Sequence, residues 1–383
     1  MPWKEVSIMD QRKEFVMLAS KEGANVRELC RRYGISPTTA YKWLGRFSGE
    51  GEAGLGNHSR RPLNSPLCTV ETLEARILEA REAHPCWGAR KLKRWVEKRD
   101  AAVLPSSSTI HAILKRNGKI NAVASAAHQA WQRFEHPHPN DLWQMDFKGH
   151  FATGAGHCHP LTVLDDHSRY VLCLGALGEE RAAPTQQRLI QTFRRYGLPW
   201  RMTMDNGAPW GDPERYTRFE LWLMRLGIKV SHSRPYHPQT QGKDERFHRT
   251  LKAEVLQGQA FRDLAHAQQK FDEWLPVYNR ERPHEALGMN TPTTRYKSSA
   301  RAYMEQLPEL EYGSGDIVRK VQGKGELSYK GKLYVLGKAF SGYPVALRKT
   351  RSDDSLEVYF GVHLVASISL KESSITIEKG RKN

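Results

Sequence analysis

Leu142-Trp143-Gln144-Met145-Asp146-Phe147 alternates apolar and polar side chains, the two-residue period of a strand with one buried face. Trp143, Met145 and Phe147 share one side, Gln144 and Asp146 the other. A carboxylate in such a run must be paired or bind a cation. Two further acids stand in comparable places. Asp205 closes the strand-like Arg201-Met202-Thr203-Met204, and Glu245 follows Gln239-Thr240-Gln241-Gly242-Lys243-Asp244.

Outward from this run the pattern is strands alternating with helices. Residues 161–164 and 170–174 read as an antiparallel hairpin closed by Asp165-Asp166-His167-Ser168-Arg169. A helix over 185–196 leads to a strand at 200–204. Tyr216, Phe219, Leu223 and Leu226 mark another helix, followed by a short strand at 228–232. A Pro- and Gln-rich loop at 234–241 precedes a long helix starting near Gly242. The fold class that follows is an α/β core over 141–300, a mixed five-stranded sheet with helices on both faces. Short strand-like segments at 316–321, 332–335, 345–349, 356–360 and 364–368 predict a small all-β barrel over 310–383. Its Arg348, Lys349 and Arg351 read as a backbone contact or a solvated edge.

The first 140 residues read as all-α. Val26, Leu29, Cys30 and Tyr33, then Ala40, Trp43, Leu44 and Phe47, repeat a helical spacing across Gly34-Ile35-Ser36-Pro37. This predicts a helix-turn-helix unit over 1–50, an ordinary helical hairpin being the alternative. Its second helix offers Thr38, Thr39, Tyr41, Lys42 and Arg46 to DNA. Residues 51–66 read as a linker whose Arg60 and Arg61 can touch phosphates. A second unit over 67–120, helix-turn-helix or winged-helix-like, carries Leu73 and Ile77, Leu92 and Val96, and Ile110, Ile113 and Leu114 on successive helices. Its Arg90, Lys91 and Arg94 lie in a run of six cations in ten residues, read as a backbone-contacting face. Thr109, His111 and Lys115 form the polar side of its third helix. An extended connector at 121–140, with His136-Pro137-His138-Pro139, completes the organisation.

Composition agrees with a polyanionic partner. The 383 residues hold 59 Lys and Arg against 42 Asp and Glu, a formal net charge of +17, which favours nucleic acid through counterion release. Five cysteines without a C-x-x-C spacing argue against a disulfide framework or a zinc ribbon. No apolar run reaches membrane-spanning length. The expectation is a protein of a reducing cytoplasm with no membrane partner.

Three acids in a basic chain point to phosphoryl transfer. Two Mg²⁺ ions about 3.5–4 Å apart activate an oxygen nucleophile and stabilise the leaving oxygen, and Mn²⁺ substitutes. Asp146, Asp205 and Glu245 are the expected metal ligands and catalytic acids. Glu245, Arg249 and Lys252 fall on one helical face and Phe247, Leu251 and Val255 on the opposite one. Asp244 points about 100° away from Glu245 and is set aside as a ligand. Asp165 and Asp166 read as turn caps, and His157-Cys158-His159 lacks a partner cluster for zinc.

Five motifs in order resemble those of bacterial insertion-sequence transposases. They are Trp-Gln-Met-Asp-Phe, Leu-Asp-Asp-His-Ser-Arg-Tyr, Met-Asp-Asn-Gly, Tyr-His-Pro-Gln-Thr-Gln-Gly-Lys-Asp-Glu-Arg-Phe-His-Arg-Thr-Leu-Lys and Tyr-Asn-Arg-Glu-Arg-Pro-His-Glu-Ala-Leu. These transposases have a catalytic core of the retroviral-integrase type, and the insertion-sequence family numbered 481 is the nearest match. Between the acids lie 58 and 39 residues, the second gap being close to the family's. The resemblance implies a ribonuclease-H-like fold and carries the acidic triad onto Asp146, Asp205 and Glu245. It also implies that Arg249 and Lys252 approach DNA near the cut, and that the segment from Tyr278 to Pro292 packs against the core with possible DNA contact. The His-His-Cys-Cys zinc module of retroviral integrases is missing, so recognition falls to the two helical units. The implied activity is binding of terminal inverted repeats, Mg²⁺-dependent cleavage of the ends and joining of their 3′-hydroxyls to target DNA. Pairing two ends of double-stranded DNA requires at least a dimer. A regulator with an inactive core and a nuclease that cuts without joining are the rival readings.

Overall fold

The computed structural model describes residues 7–58, 69–120, 135–205, 207, 210, 215–232, 242–350 and 354–379. It divides into two compact units, Met1–Cys68 and Thr69–Asn383.

The first unit is three helices, α1 Ile8–Ala19, α2 Val26–Tyr33 and α3 Pro37–Glu50. Each start is fixed by a capping side chain: Ser7 in a reciprocal box with Asp10, Asn25, and Ser36 just before Pro37. Gly34, left-handed at φ +62°, ends α2 and makes the turn. Phe15, Val16, Cys30, Ala40 and Trp43 form the core. The expected linker begins later than the sequence indicates. Gly51–Leu55 is a 3-10 turn, and Leu55 is buried in this same core. The glycine that made the stretch look like a linker is a packing residue, because a Cβ on Gly54 would lie 2.5 Å from the Arg46 carbonyl oxygen.

The second unit opens with α4 Glu71–Ala83, α5 Ala89–Asp100 and α6 Ser107–Arg116. Ile77, Leu92, Val96, Ile110, Ile113 and Leu114 meet around Trp87, as the helical spacing predicts. Of the expected connector, residues 121–134 lie outside the described residues.

The α/β core follows. Its strands are β1 Trp143–Phe147, β2 Phe151–Thr153, β3 Gly156–Asp165, β4 Val171–Leu177, β5 Arg201–Met204 and β6 Lys229–His232. The sheet order is β4-β3-β1-β5-β6, with β2 paired to the start of β3. β1, β3 and β4 run antiparallel, while β5 and β6 lie parallel to β1. This is the ribonuclease-H-like arrangement, with β2 an addition that the sequence reading missed. One face packs α7 Ala182–Tyr196 and α8 Arg218–Arg225 onto Trp143, Met145, Leu161 and Val163. The other packs α9 Gly242–Leu251 and α10 Leu264–Pro276 onto Leu164, Val171 and Leu174. The alternation in β1 thus decides which face holds the chemistry: Gln144 and Asp146 point toward the α9 side.

Beyond residue 310 the chain is all-β. β7 Ile317–Lys320, β10 Pro344–Lys349, β11 Ser355–Phe360, β12 His363–Ser369 and β13 Ser374–Ile377 form an antiparallel sheet in the order β13-β12-β11-β10-β7. The hairpin of β8 Glu326–Tyr329 and β9 Lys332–Val335 meets β7 on one side and β13 on the other. It bridges the two open edges in a barrel-like closure. Leu221 and Met224 of α8 enter the core of this domain, so it is seated on the α/β core.

Candidate active site and nucleic-acid interface

The hairpin turn expected after β3 is the anchor of the site. Asp165 accepts hydrogen bonds from the backbone of Asn140 (2.7 Å) and Ser168 (2.8 Å). Asp166 accepts from the His136 backbone and the Gln144 side chain, both at 2.8 Å, and from Lys243 in the first turn of α9. Asp165 thus serves backbone N–H groups, as expected for a turn cap, whereas Asp166 departs from that expectation by also holding two side chains distant in sequence. Lys243 thereby pins the start of α9 to the sheet, which sets where Glu245 stands.

Asp146 lies on β1 opposite Thr162. Burial and then the charge of Asp205 push its carboxyl up to about 7, with Glu180 and Glu245 adding to the rise. Four acids therefore share one electrostatic neighbourhood. Beside it, Thr162 shares a 3.0 Å hydrogen bond with His248 Nε2, whose ring Nδ1 is 3.8 Å from Asp146. Burial, with the nearby charge of Lys148, pushes the imidazole down to about 4. His248 is therefore neutral at physiological pH and does not form an ion pair with Asp146.

Asp205 follows β5. Burial raises its carboxyl and a hydrogen bond from the Trp210 side chain partly offsets this. Among the described residues its buried Oδ1 has no hydrogen-bond partner, the condition of an oxygen prepared for a cation. Glu245 is exposed on α9, and its charge reaches Asp146. Among the described residues no three His, Cys, Asp or Glu form a closed coordination group. The arrangement fits a hard ion such as Mg²⁺, which takes one or two carboxylates and completes its shell with water and substrate phosphate. Asn206 lies outside the described residues.

Helix α9 has the predicted faces: Phe247, Leu251 and Val255 are buried, and Glu245, Arg249 and Lys252 are exposed. Lys252 lies near enough to Lys148 to lower its ammonium after burial has done so first. Asp244 differs from expectation. It is 2 % exposed, its Oδ1 has no partner among the described residues, and burial followed by the charges of Asp146 and Asp166 pushes its carboxyl well up. The 100° offset from Glu245 is real, but it turns Asp244 toward the sheet and not toward solvent.

On α3, Thr38, Tyr41 and Lys42 are exposed. Thr39 is half-buried, with its backbone N–H and hydroxyl engaged by the Ser36 cap. Arg46 folds back over the Trp43 ring, 5.2 Å from its centroid, so only the first three face outward. Arg60 and Arg61 lie outside the described residues. In the second unit Arg90, Arg94, Thr109, His111 and Lys115 are exposed. Lys91 is not on an open face: burial, then the Arg282 charge, lowers its ammonium to about 8. It lines a cleft of about 550 Å³ together with Arg90, Ser107, His111, Arg246 and Glu285. The cleft runs between α5, α6 and helix α9. Arg246 is a residue the sequence reading passed over, since it adjoins Glu245 but lies off the Glu245–Arg249–Lys252 face.

The remaining candidates are structural. Cys158 is fully buried, its thiol pushed up to about 12 by burial, and His159 bonds Glu180 at 2.9 Å. Arg348 is held by Asp316 at 2.8 and 2.9 Å, and Arg351 lies outside the described residues. In the motif after the core, Arg282 is buried and bonds Glu254 at 2.9 Å, while Trp274 donates to the same carboxylate at 3.0 Å.

Family models match most of the chain. An integrase core domain is matched over residues 136–238 and again over 226–292. Residues 316–376 match the C-terminal domain of IS481 family transposases. The chain thus carries an integrase core and the C-terminal domain of IS481 family transposases, and proteins of insertion elements are among its relatives. Helix-turn-helix and homeodomain-like models match residues 11–62 and 39–114 of the chain. Among relatives, it is 26 % identical over 245 residues to an uncharacterized protein of insertion element IS476 from Xanthomonas euvesicatoria, covering 63 % of this chain and 69 % of that one. It is 27 % identical to a putative transposase for insertion sequence element IS5376 from Geobacillus stearothermophilus, covering 51 % of this chain but only 50 % of that relative. A simian T-cell lymphotropic virus intasome chain aligns at 16 % identity over 75 % of this chain and 97 % of that one, with a TM-score of 0.37. No helix among the described residues is long and apolar enough to cross a membrane.

Proposed function

We propose that this transposase binds the inverted repeats at the ends of its own element, cleaves them, and joins the freed 3′-hydroxyls to target DNA. Asp146, Asp205 and Glu245 act as the metal-holding acids. The observation that supports this most is the raised Asp146 carboxyl, surrounded by other acids, beside the orphaned Oδ1 of Asp205. Groups so placed repel one another until a divalent cation joins them. When bound, two Mg²⁺ ions supply an activated oxygen nucleophile and charge stabilisation at the leaving 3′-oxygen. The chain's own residues do the rest. Arg249, Lys252 and Lys148 hold phosphates beside the acids, and neutral His248 orders the flank of Asp146 through Thr162. Pairing of two ends calls for at least a dimer on DNA, in the bacterial cytoplasm at the nucleoid.

The adjacent acids on α9 provide the direct test. Glu245→Gln is expected to lower joining of pre-cut ends by about a thousandfold. Asp244→Asn, which keeps the shape of a buried side chain that this reading leaves out of the metal-holding set, is expected to stay within about threefold. Equal losses would reassign the third ligand. Joining of pre-cut ends by the wild type in Mg²⁺ also separates a transposase from a nuclease or a silent regulator.

The cleft between α5, α6 and α9 is read as the path by which duplex held on the second helical unit reaches the acids. Lys91→Met and Arg246→Gln are each expected to reduce the slope of log affinity against log salt by roughly one. An unchanged slope in both would place the DNA elsewhere.

A further inference from the structure

Glu220 is fully buried on α8, a position where an unpaired carboxylate is costly. Burial alone would raise it, yet His232 and Lys379 hold it below the ordinary range. Its Oε1 accepts from His232 Nε2 at 2.7 Å and lies 2.8 Å from Lys379 Nζ. Its Oε2 accepts from Lys379 at 3.0 Å and from the Thr217 backbone at 2.7 Å. The other ring nitrogen of His232 donates to the backbone carbonyl of Asp205 at 2.9 Å. Lys379 follows β13 in the C-terminal β domain and is itself buried, donating also to the Arg215 carbonyl at 2.6 Å. A continuous set of hydrogen bonds therefore runs from the C-terminal domain through Glu220 and His232 to the backbone of a proposed metal-holding acid.

We infer that Lys379 is a positioning residue for Asp205: by clamping Glu220 it keeps His232 on the Asp205 carbonyl, making the C-terminal β domain a working part of the catalytic centre. The seating of that domain supports this. Arg218 donates to the Ser341 carbonyl at 2.7 Å, His363 to the Met224 carbonyl at 3.0 Å, and Leu221 and Met224 fill the β core. Helix α8 is thus held from the β-domain side while Glu220 reaches the end of β5 and β6. The inference rests on the metal-site reading for Asp205, and its test separates the two.

Lys379→Met, Lys379→Arg and the control Lys371→Met, an exposed lysine of the same domain, are compared in the full chain with Asp146→Asn. Mn²⁺ binding is read by electron paramagnetic resonance, and backbone hydrogen exchange by mass spectrometry. Lys379→Met is expected to weaken Mn²⁺ binding by about tenfold and to speed exchange about tenfold in peptides ending β5 and β6, not in β3. Lys379→Arg should recover most of both, and Lys371→Met should match the wild type. If Lys379→Met does not fold, Lys379→Gln, which keeps a donor but loses the charge, carries the measurement with a smaller shift in the same direction. Wild-type Mn²⁺ affinity and exchange in the Lys379 variants overturn the inference. If Asp146→Asn also binds Mn²⁺ normally, it is the metal-site reading that fails.

Discussion

Asp146→Asn is expected to abolish strand joining, by about a thousandfold or more, equivalent to roughly 4 kcal/mol of transition-state stabilisation. Affinity for element ends should change little, because recognition is proposed to lie in the helical units and not in β1. The same substitution should stabilise the protein in metal-free buffer. The Asp146 carboxyl is raised to about 7 by burial and then by Asp205, so the folded state holds its proton more tightly than the unfolded chain does. The cost of ionisation is absent below the unfolded value near 4 and grows as pH rises toward 7. The variant should therefore melt above the wild type at pH 7 and with it at pH 4. Lower activity combined with higher stability is the behaviour of a site whose acids are held together against their repulsion. Full joining activity in Asp146→Asn would remove the metal mechanism.

Arg282→Ala is expected to cost about 3–5 kcal/mol, the usual consequence of leaving a buried partner uncompensated. Glu254 loses its guanidinium and, among the described residues, keeps the Trp274 indole. Glu254 lies in the π-helical turn Lys252–Leu256 and Arg282 caps the end of another, Val277–Glu281, so the pair fastens two irregular turns that the helix ladder does not secure. The measurement is the shift in urea midpoint. A double substitution, Arg282→Met with Glu254→Leu, should recover most of the loss, since apolar groups need no partner. A loss under about 1 kcal/mol in Arg282→Ala would show the pair to be ordinary surface pairing.

These two sites differ in how far they could be read from sequence. The alternation of Trp143, Gln144, Met145 and Asp146 reports a strand and its chemical face, because the two-residue period is a local property. The buried and exposed faces of α9 follow from local spacing in the same way. Asp244 does not, since helical geometry gives only its angle from Glu245, and the covered side depends on Lys243 reaching Asp166. The role of Arg282 is hidden similarly: its motif is visible, but its partner Glu254 lies 28 residues earlier. Glu220, His232 and Lys379 leave no sequence signal. Lys379 is 159 residues from Glu220, and no spacing rule joins a β-domain lysine to the turn of a strand in another domain. The 51–66 stretch misleads for the opposite reason: its glycine content is that of a loop, while Gly54 serves close contact.

The cleft beside α9 bears on how such proteins can be recombined. Cys86 donates to the Ala253 carbonyl at 3.2 Å, Arg90 faces Glu285 at 3.6 Å, and Val277 packs on the core of the α4–α6 bundle. Grafting that bundle from one relative onto the core of another, to redirect end choice, therefore exchanges half of a fitted joint. Hybrids that also carry over positions 246, 253, 277 and 285 should fold and cut, whereas those cut cleanly at residue 120 should be poorly expressed.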